Sequence, residues 1–227
     1  HGMDYGEAGL RDSVAAGRQA GLPTVGIGGN ATEAYRPYVA TVKGNKVAVI
    51  GATQVLDDNL IQAWTATDAK AGLASAKDVP RLVRAVRQAG ESTDTVIVNL
   101  HWGQELNGCA TPAQRDLAGR LIEAGADAVV GSHAHVLQAG GFRNGKYVHY
   151  GLGNFLFYNS SGRTAQSGVL TLTFDGGKVT KADWAPAVIS GGIPQPLTGA
   201  AARQAQTEWE GLRRCADVTA QPAKPSS

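Results

Sequence analysis

The interpretation of this chain starts from the stretch Asp127-Ala128-Val129-Val130-Gly131-Ser132-His133-Ala134-His135. Its apolar first half predicts a buried strand, and two histidines follow where that strand should end. Residues i and i+2 of an extended backbone face the same side, so His133 and His135 are expected to aim at one point. Gly131 predicts a turn or a close approach of the backbone to another group. A strand that ends in this way is a candidate metal site.

The composition is that of a globular protein, with 43% hydrophobic and 18% charged residues in a chain of 227. A formal net charge of +2 offers no basis for a nucleic-acid partner. The longest apolar runs are strand-sized, which predicts no transmembrane segment in this chain. Two alternatives fit Cys109 and Cys215: one long-range disulfide in an oxidising compartment, or two free thiols.

Apolar runs alternate between strand and helix patterns, which predicts the α/β class. A strand over 94–100, a helix from Pro112 through Gly125 and a strand over 128–130 predict a parallel pair with a crossover helix. The remaining patterns predict helices over 6–20, 77–90 and 200–214, and hairpins over 38–52, 136–150 and 167–187.

A third histidine, His101, follows the strand over 94–100. Because ligands bind at the carboxyl ends of parallel strands, His101, His133 and His135 are expected near one crevice. Three neutral imidazoles on rigid strand ends suit a divalent transition metal such as zinc or manganese. Glu105 would add a carboxylate ligand or orient an imidazole. His149 lies inside an apolar run and is expected to be a hydrogen-bonded structural residue and not a ligand.

Four segments resemble motifs of bacterial capsule-synthesis proteins of the CapA type, which are linked to poly-γ-glutamate. The segments are His1 to Leu10, His101 to Glu105 (His-Trp-Gly-Gln-Glu), Gly131 to Gln138 and Tyr150 to Phe157. That family is similar to the calcineurin-like metallophosphatases. The resemblance therefore implies a metallophosphatase-like β-sandwich flanked by helices.

The resemblance also implies roles for individual residues. His101, His133 and His135 match metal ligands, and His1 matches a general acid or oxyanion stabiliser that Asp4 positions. Substrate-binding or supporting positions around the metal are Glu105, Trp102, Asn154 and Phe155. The implied cofactor is a divalent metal (zinc, manganese or iron), with up to two ions in a full-length protein.

The family's first strands and their oxygen ligands precede the position that matches His1, and they are not in this sequence. The N-terminal strands of the fold are therefore expected to be missing from this chain, either because it is a piece of a longer protein or because those strands belong to another chain. Its expected organisation is a metallophosphatase-like capsule-synthesis domain over 1–190, a helical extension over 191–218 and a disordered tail over 219–227.

Two functions fit this resemblance. One is a capsule (poly-γ-glutamate) biosynthesis protein with a metal-dependent, phosphoesterase-like hydrolase site. The other is a non-catalytic capsule-assembly or anionic-polymer-binding protein that keeps a degenerate metal site. Expected partners are an anionic polymer or phosphoester substrate and capsule-assembly proteins. The expected location is extracellular or in the cell envelope.

Overall fold

The chain combines helices with strands in parallel and antiparallel pairs, which confirms the predicted α/β class. The computed structural model describes residues 1–158 and 160–222. The helices in these residues are α1 Gly6–Gln19, α2 Ala31–Ala34, α3 Ile61–Trp64, α4 Val79–Ser92, α5 Pro112–Glu123 and α6 Gly199–Gly211, with short 3-10 helices at Gly162–Ala165 and Leu212–Cys215. The strands are β1 Ile27–Gly28, β2 Tyr38–Val42, β3 Asn45–Thr53, β4 Gly72–Leu73, β5 Thr95–His101, β6 Ala128–Ser132, β7 Gly140–Arg143, β8 Lys146–His149, β9 Gln166–Asp175, β10 Lys178–Ser190 and β11 Ile193–Pro196.

The chain divides into two units, of which the first comprises residues 1–101 and 123–126. In this unit β3 pairs antiparallel with β2 and parallel with β5. The β2–β3 turn is Lys43-Gly44, and both residues have positive φ, as a two-residue hairpin turn requires. A small core forms from Met3 in the loop before α1, Leu10 of α1 and Ala71, which precedes β4.

Helix α4 begins as predicted but ends later. The Asp78 side chain accepts a hydrogen bond from the Arg81 backbone N–H at 3.2 Å and caps the first turn. The expectation that Gly90 ends the helix is wrong, because the helix continues to Ser92. Thr93 closes it by donating its hydroxyl to the Ala89 carbonyl at 2.8 Å, which satisfies one carbonyl of the last turn.

The second unit comprises residues 102–122 and those from 127 onward. Here β8 pairs parallel with β6 and antiparallel with β7, and β9, β10 and β11 form an antiparallel sheet in the order β11-β10-β9. The predicted strand from Val136 begins later, at Gly140, although the Gln138 N–H still bonds the Gly151 carbonyl at 2.9 Å. Strand β11 was not predicted because it contains Pro194 and Pro196, which a strand tolerates at the edge of a sheet.

The two cysteines form a disulfide between Cys109 and Cys215, 106 residues apart. Of the two alternatives left open by the sequence, the structure has the bonded pair. Beyond this bond, Thr219 pairs with Phe142 through two backbone hydrogen bonds of 2.7 and 2.8 Å. The last part of the predicted tail, 223–227, lies outside the described residues. A search of the described helices finds none long and apolar enough to cross a membrane.

Candidate metal centre

Three side chains with metal-binding atoms converge in the second unit. Glu105, His133 and His135 each offer one ligand atom, and these atoms all lie within 4.8 Å of one another. The set consists of two imidazole nitrogens and one carboxylate oxygen, a combination that zinc and other divalent transition metals accept. The donor set therefore fits the predicted cofactor, although the ligand roles themselves stay predictions.

The two histidines come together through turns and not through a strand. Strand β6 ends at Ser132, and His133 and His135 both have positive φ, of 102° and 56°. Non-glycine residues rarely adopt this conformation, which costs of order 1–3 kcal/mol and is concentrated at functional sites. The expectation that an extended backbone aims both rings at one point is therefore wrong in its mechanism. The ring centroids lie 6.2 Å apart.

Gly131 lets a large aromatic side chain lie directly beneath the histidine turn. A Cβ at Gly131 would lie 2.0 Å from Nε1 of Trp102. That Nε1 donates to the Tyr150 carbonyl at 2.8 Å, and the indole stacks on the Tyr150 ring. The close approach predicted for Gly131 is therefore to Trp102. Trp102 is fully buried, and its indole packs against the Gly131 backbone just before the histidine turn.

Asn154 selects the form of His135 that can bind a metal. Its Oδ1 lies 2.7 Å from Nδ1 of His135. Its Nδ2 donates to the Thr164 carbonyl at 3.1 Å and to the His135 carbonyl at 3.4 Å, which identifies Oδ1 as the acceptor. His135 therefore carries its proton on Nδ1, and Nε2 of the neutral ring keeps a free lone pair.

Burial favours the neutral form of His133. Desolvation lowers its pKa below the ordinary value; the nearby Glu105 carboxylate opposes this shift, and His135 adds to it. A neutral imidazole is the form that coordinates metal ions. The environment of His133 is thus compatible with a ligand role near neutral pH.

The loop that carries Glu105 is held by two buried glutamines that the sequence interpretation did not single out. Nε2 of Gln138 donates to the carbonyls of Asn107 at 2.8 Å and Cys109 at 3.3 Å. The other amide atom of Gln138, Oε1, accepts a hydrogen bond from Nε2 of Gln114 at 2.9 Å. The signal that could have found Gln138 is its place at the end of the motif from Gly131 to Gln138.

The ring of Phe157 packs against the imidazole of His135, with the two ring centroids 5.1 Å apart. The sequence motif predicted a lining role for Phe155, which is 53% exposed. The role of Phe155 as a lining residue stays a prediction. Phe157 was missed because residues near the end of a motif are hard to orient without the turn geometry.

The other predicted site residues belong to the first unit. Nδ1 of His1 lies 2.8 Å from Oδ2 of Asp4, an arrangement that would orient the imidazole. His101 is the last residue of β5, and its carbonyl accepts a hydrogen bond from the Gln54 N–H at 2.8 Å. Their roles as general acid, positioning residue and metal ligand stay predictions.

Comparison with known proteins gives a consistent family. Residues 1–159 match the family described as "Bacterial capsule synthesis protein PGA_cap". The capsule biosynthesis protein CapA of Bacillus anthracis is 33% identical over 205 residues, which cover 88% of this chain and 48% of that protein. The PGA biosynthesis protein CapA of Bacillus subtilis (strain 168) is 32% identical, over 75% of this chain and 44% of that protein. The chain thus spans about half the length of these curated relatives.

Solved structures resemble the chain only loosely. A hypothetical protein from Thermus thermophilus aligns with a TM-score of 0.44 and 18% identity, over 66% of this chain and 60% of that one. A sulfate thiohydrolase, SoxB, of the same organism aligns with a TM-score of 0.45 and 18% identity, over 78% of this chain and 28% of that one. The family match covers well over half of the sequence, and the chain therefore belongs to the bacterial capsule synthesis protein family PGA_cap.

Proposed function

We propose that this protein acts in capsule (poly-γ-glutamate) biosynthesis and carries a metal-dependent, phosphoesterase-like hydrolase site. The observation that carries the proposal is the convergence of Glu105, His133 and His135 on one point. The names of the curated relatives, which refer to capsule and PGA biosynthesis, support the biological setting.

Glu105, His133 and His135 would hold a zinc, manganese or iron ion, and His101 is proposed as a further ligand. A divalent metal would supply Lewis-acid chemistry there, polarising a phosphoryl or carbonyl oxygen and acidifying a water molecule.

The side chains around these ligands have separate tasks in the proposal. Asn154 holds the His135 proton on Nδ1, and the Phe157 ring excludes water from one side of that imidazole. His1 is proposed to donate a proton to the leaving group, with Asp4 orienting its ring. Trp102 and Asn154 act on the ligands and not on the substrate, whereas Phe155 is a proposed substrate contact.

The proposed location is the cell envelope or the extracellular space. The family match supports a role in the envelope, and the Cys109–Cys215 disulfide supports an oxidising compartment. The proposed partners are an anionic polymer or phosphoester substrate and capsule-assembly proteins.

Metal binding tests the proposal directly. Titration with zinc or manganese should show binding that Glu105→Gln weakens about 10-fold or more, because the carboxylate ligand is lost. Glu91→Gln, an exposed glutamate on α4, is the matched control and should bind as the parent protein does. Hydrolysis of a generic phosphodiester should disappear in His135→Ala. A protein that takes up no metal, and whose thermal stability a chelator leaves unchanged, would contradict the proposal.

A second, non-catalytic function is also compatible with the small number of candidate metal ligands. Only three donors converge in the described residues, fewer than a two-metal hydrolase centre needs. A protein that binds metal but hydrolyses nothing would fit a non-catalytic assembly or anionic-polymer-binding role with a degenerate site. Binding of polyglutamate without turnover would decide in favour of this second function.

A further inference from the structure

A groove in the second unit lies between helix α6 and strand β10, apart from the three candidate metal ligands. Its volume is about 490 Å³, within the range of ligand sites. Ala201 and Ala205, one turn apart on α6, line one side, and Trp184 and Pro186 of β10 line the other. The small alanines leave the space, and the indole and proline rings provide an apolar wall.

Two arginines line the same groove without a protein partner. Within residues 1–158 and 160–222, neither the Arg163 nor the Arg214 guanidinium forms a hydrogen bond or an ion pair with a protein group. Neighbouring arginines are engaged: Arg143 pairs with Asp217 at 2.9 Å, and Arg213 donates to the Gly140 carbonyl at 2.8 Å. A guanidinium is suited to bidentate recognition of a carboxylate. The groove therefore carries unused positive charge.

The disulfide ties together the two segments that carry these arginines. Nη2 of Arg163 lies so close to Gly108 that a Cβ there would be 2.2 Å away. Gly108 precedes Cys109, which is bonded to Cys215, the residue after Arg214. Arg214 is thus the chain neighbour of Cys215, and the Arg163 side chain packs against Gly108, the chain neighbour of Cys109. This reduces the entropy that an anionic ligand must overcome to order the site.

Polar groups partway along the groove restrict the class of ligand. The carboxylate of Glu208 accepts hydrogen bonds from Nε2 of Gln204 at 2.9 Å and of Gln166 at 3.4 Å. A negative charge there repels a chain that is anionic throughout, and the polar wall disfavours a lipid tail. Glutamine amides and a carboxylate can pair with the N–H and C=O groups of a peptide backbone.

We propose that this groove binds an extended peptide segment with apolar side chains and a single carboxylate, which Arg163 and Arg214 bind. The segment from Ala201 on α6 to Leu212, the first residue of the following 3-10 helix, spans about 16 Å at about 1.5 Å per residue. That distance accommodates about five residues of extended peptide. The site is separate from the metal proposal, since none of the three candidate metal ligands lines it.

Titration of the full chain with a probe peptide tests this site. The probe has five residues, alternating alanine and leucine with a final glutamate, and blocked termini. Calorimetry should show binding, and the fluorescence of Trp184 and Trp209 should change. The double variant Arg163→Gln/Arg214→Gln should weaken binding about 10-fold or more, because charge-assisted hydrogen bonds are lost. Arg203→Gln, an exposed α6 position that does not line the groove, should bind as the parent protein does.

Several outcomes would overturn the proposal. They are no binding of the probe up to about 1 mM, equal binding of a probe that ends in glutamine, and unchanged affinity in the double variant. Tighter binding of hexaglutamate than of the probe would identify a polyanion site, and binding of anionic lipid vesicles alone would identify a lipid site. Ala205→Leu, which fills the groove from α6, should abolish binding while circular dichroism shows a folded protein.

Discussion

His149 shows how burial determines the chemistry of a single residue. Its side chain is fully buried, and its ring lies against those of Trp184 and Trp209 at centroid distances of 5.4 and 5.7 Å. Neither ring nitrogen has a hydrogen-bond partner in the described residues. Desolvation lowers its pKa to about 3, and the nearby charge of Arg213 adds to the shift. The expectation of a structural histidine is confirmed by this burial, but the hydrogen bond expected of it is wrong, because neither ring nitrogen has a partner among the described residues.

This environment predicts a pH dependence of stability. Above about pH 6.5 the ring is neutral in both the folded and the unfolded chain and contributes no dependence. Between pH 6.5 and 3 the unfolded chain binds a proton that the folded chain does not. Stability should therefore fall as the pH falls, by about 2 kcal/mol at pH 5 from this group. In His149→Phe the loss between pH 7.5 and pH 5, measured by urea unfolding, should be smaller by that amount.

The comparison of the two pH values separates this effect from any change in packing. A phenylalanine that fits poorly would lower the free energy of unfolding equally at both values. If the parent protein and His149→Phe lose the same free energy between pH 7.5 and pH 5, the histidine is not responsible for the dependence.

At the scale of elements, the segment between β5 and α5 depends on buried polar side chains. Gln114 and Gln138 are both fully buried and bond to each other. Through the carbonyls of Asn107 and Cys109, Gln138 holds the loop that presents Glu105. The backbone N–H of Leu106, the residue after Glu105, also donates to the carbonyl of Ala134, between the two histidines, at 2.8 Å. The loop and the histidine turn are therefore held in register.

Gln138→Met should disturb this register while nearly preserving the side-chain volume. The part-buried Asn107 carbonyl would lose its bond to Gln138, and the Gln114 amide would keep only its 3.4 Å bond to the Tyr150 carbonyl, at a cost of about 1–3 kcal/mol in unfolding free energy. If the loop positions Glu105, the affinity for zinc or manganese should also fall about 10-fold. Urea unfolding and metal titration measure the two effects.

Gln104→Met is the matched control, because Gln104 is exposed in the same loop. It should change neither stability nor metal affinity. A loss of stability in Gln138→Met with unchanged metal affinity would show that the glutamine supports the fold without positioning Glu105.

At the scale of the molecule, the disulfide links parts of the second unit that are distant in sequence. Cys109 lies in the loop after Glu105, and Cys215 ends the short 3-10 helix that follows α6. A closed loop of this length restricts the unfolded chain strongly. The chain-entropy account gives about 4.7 kcal/mol for a loop of about 100 residues, and disulfides typically contribute about 2–4 kcal/mol.

Reduction should therefore destabilise the protein. Cys109→Ser/Cys215→Ser should lower the free energy of unfolding by about 2–4 kcal/mol, as measured by chemical denaturation. A reducing agent should lower the melting temperature of the parent protein and leave that of the double variant unchanged. Equal melting temperatures of the parent protein with and without reductant would contradict this prediction.

Local patterns in the sequence were enough to determine most elements and the family. Apolar periodicity and turn residues predicted β5, α5 and β6 to within a few residues, because burial of a strand or helix face leaves a local pattern. The boundary errors at Gly90 and Val136 arose where the hydrogen bonds of Thr93 and Gln138 outweigh the local signal. The motifs around His101, His133 and Asn154 identified the family without any knowledge of the fold.

Only the tertiary structure decided which distant residues meet. The sequence by itself determined that histidines follow the strands, and it placed Glu105 near one of them. It did not determine that positive-φ turns bring Glu105, His133 and His135 together, or that Cys109 bonds Cys215. It also did not reveal the groove beside α6. These features depend on packing between segments up to about a hundred residues apart, for which a single sequence carries no periodic signal.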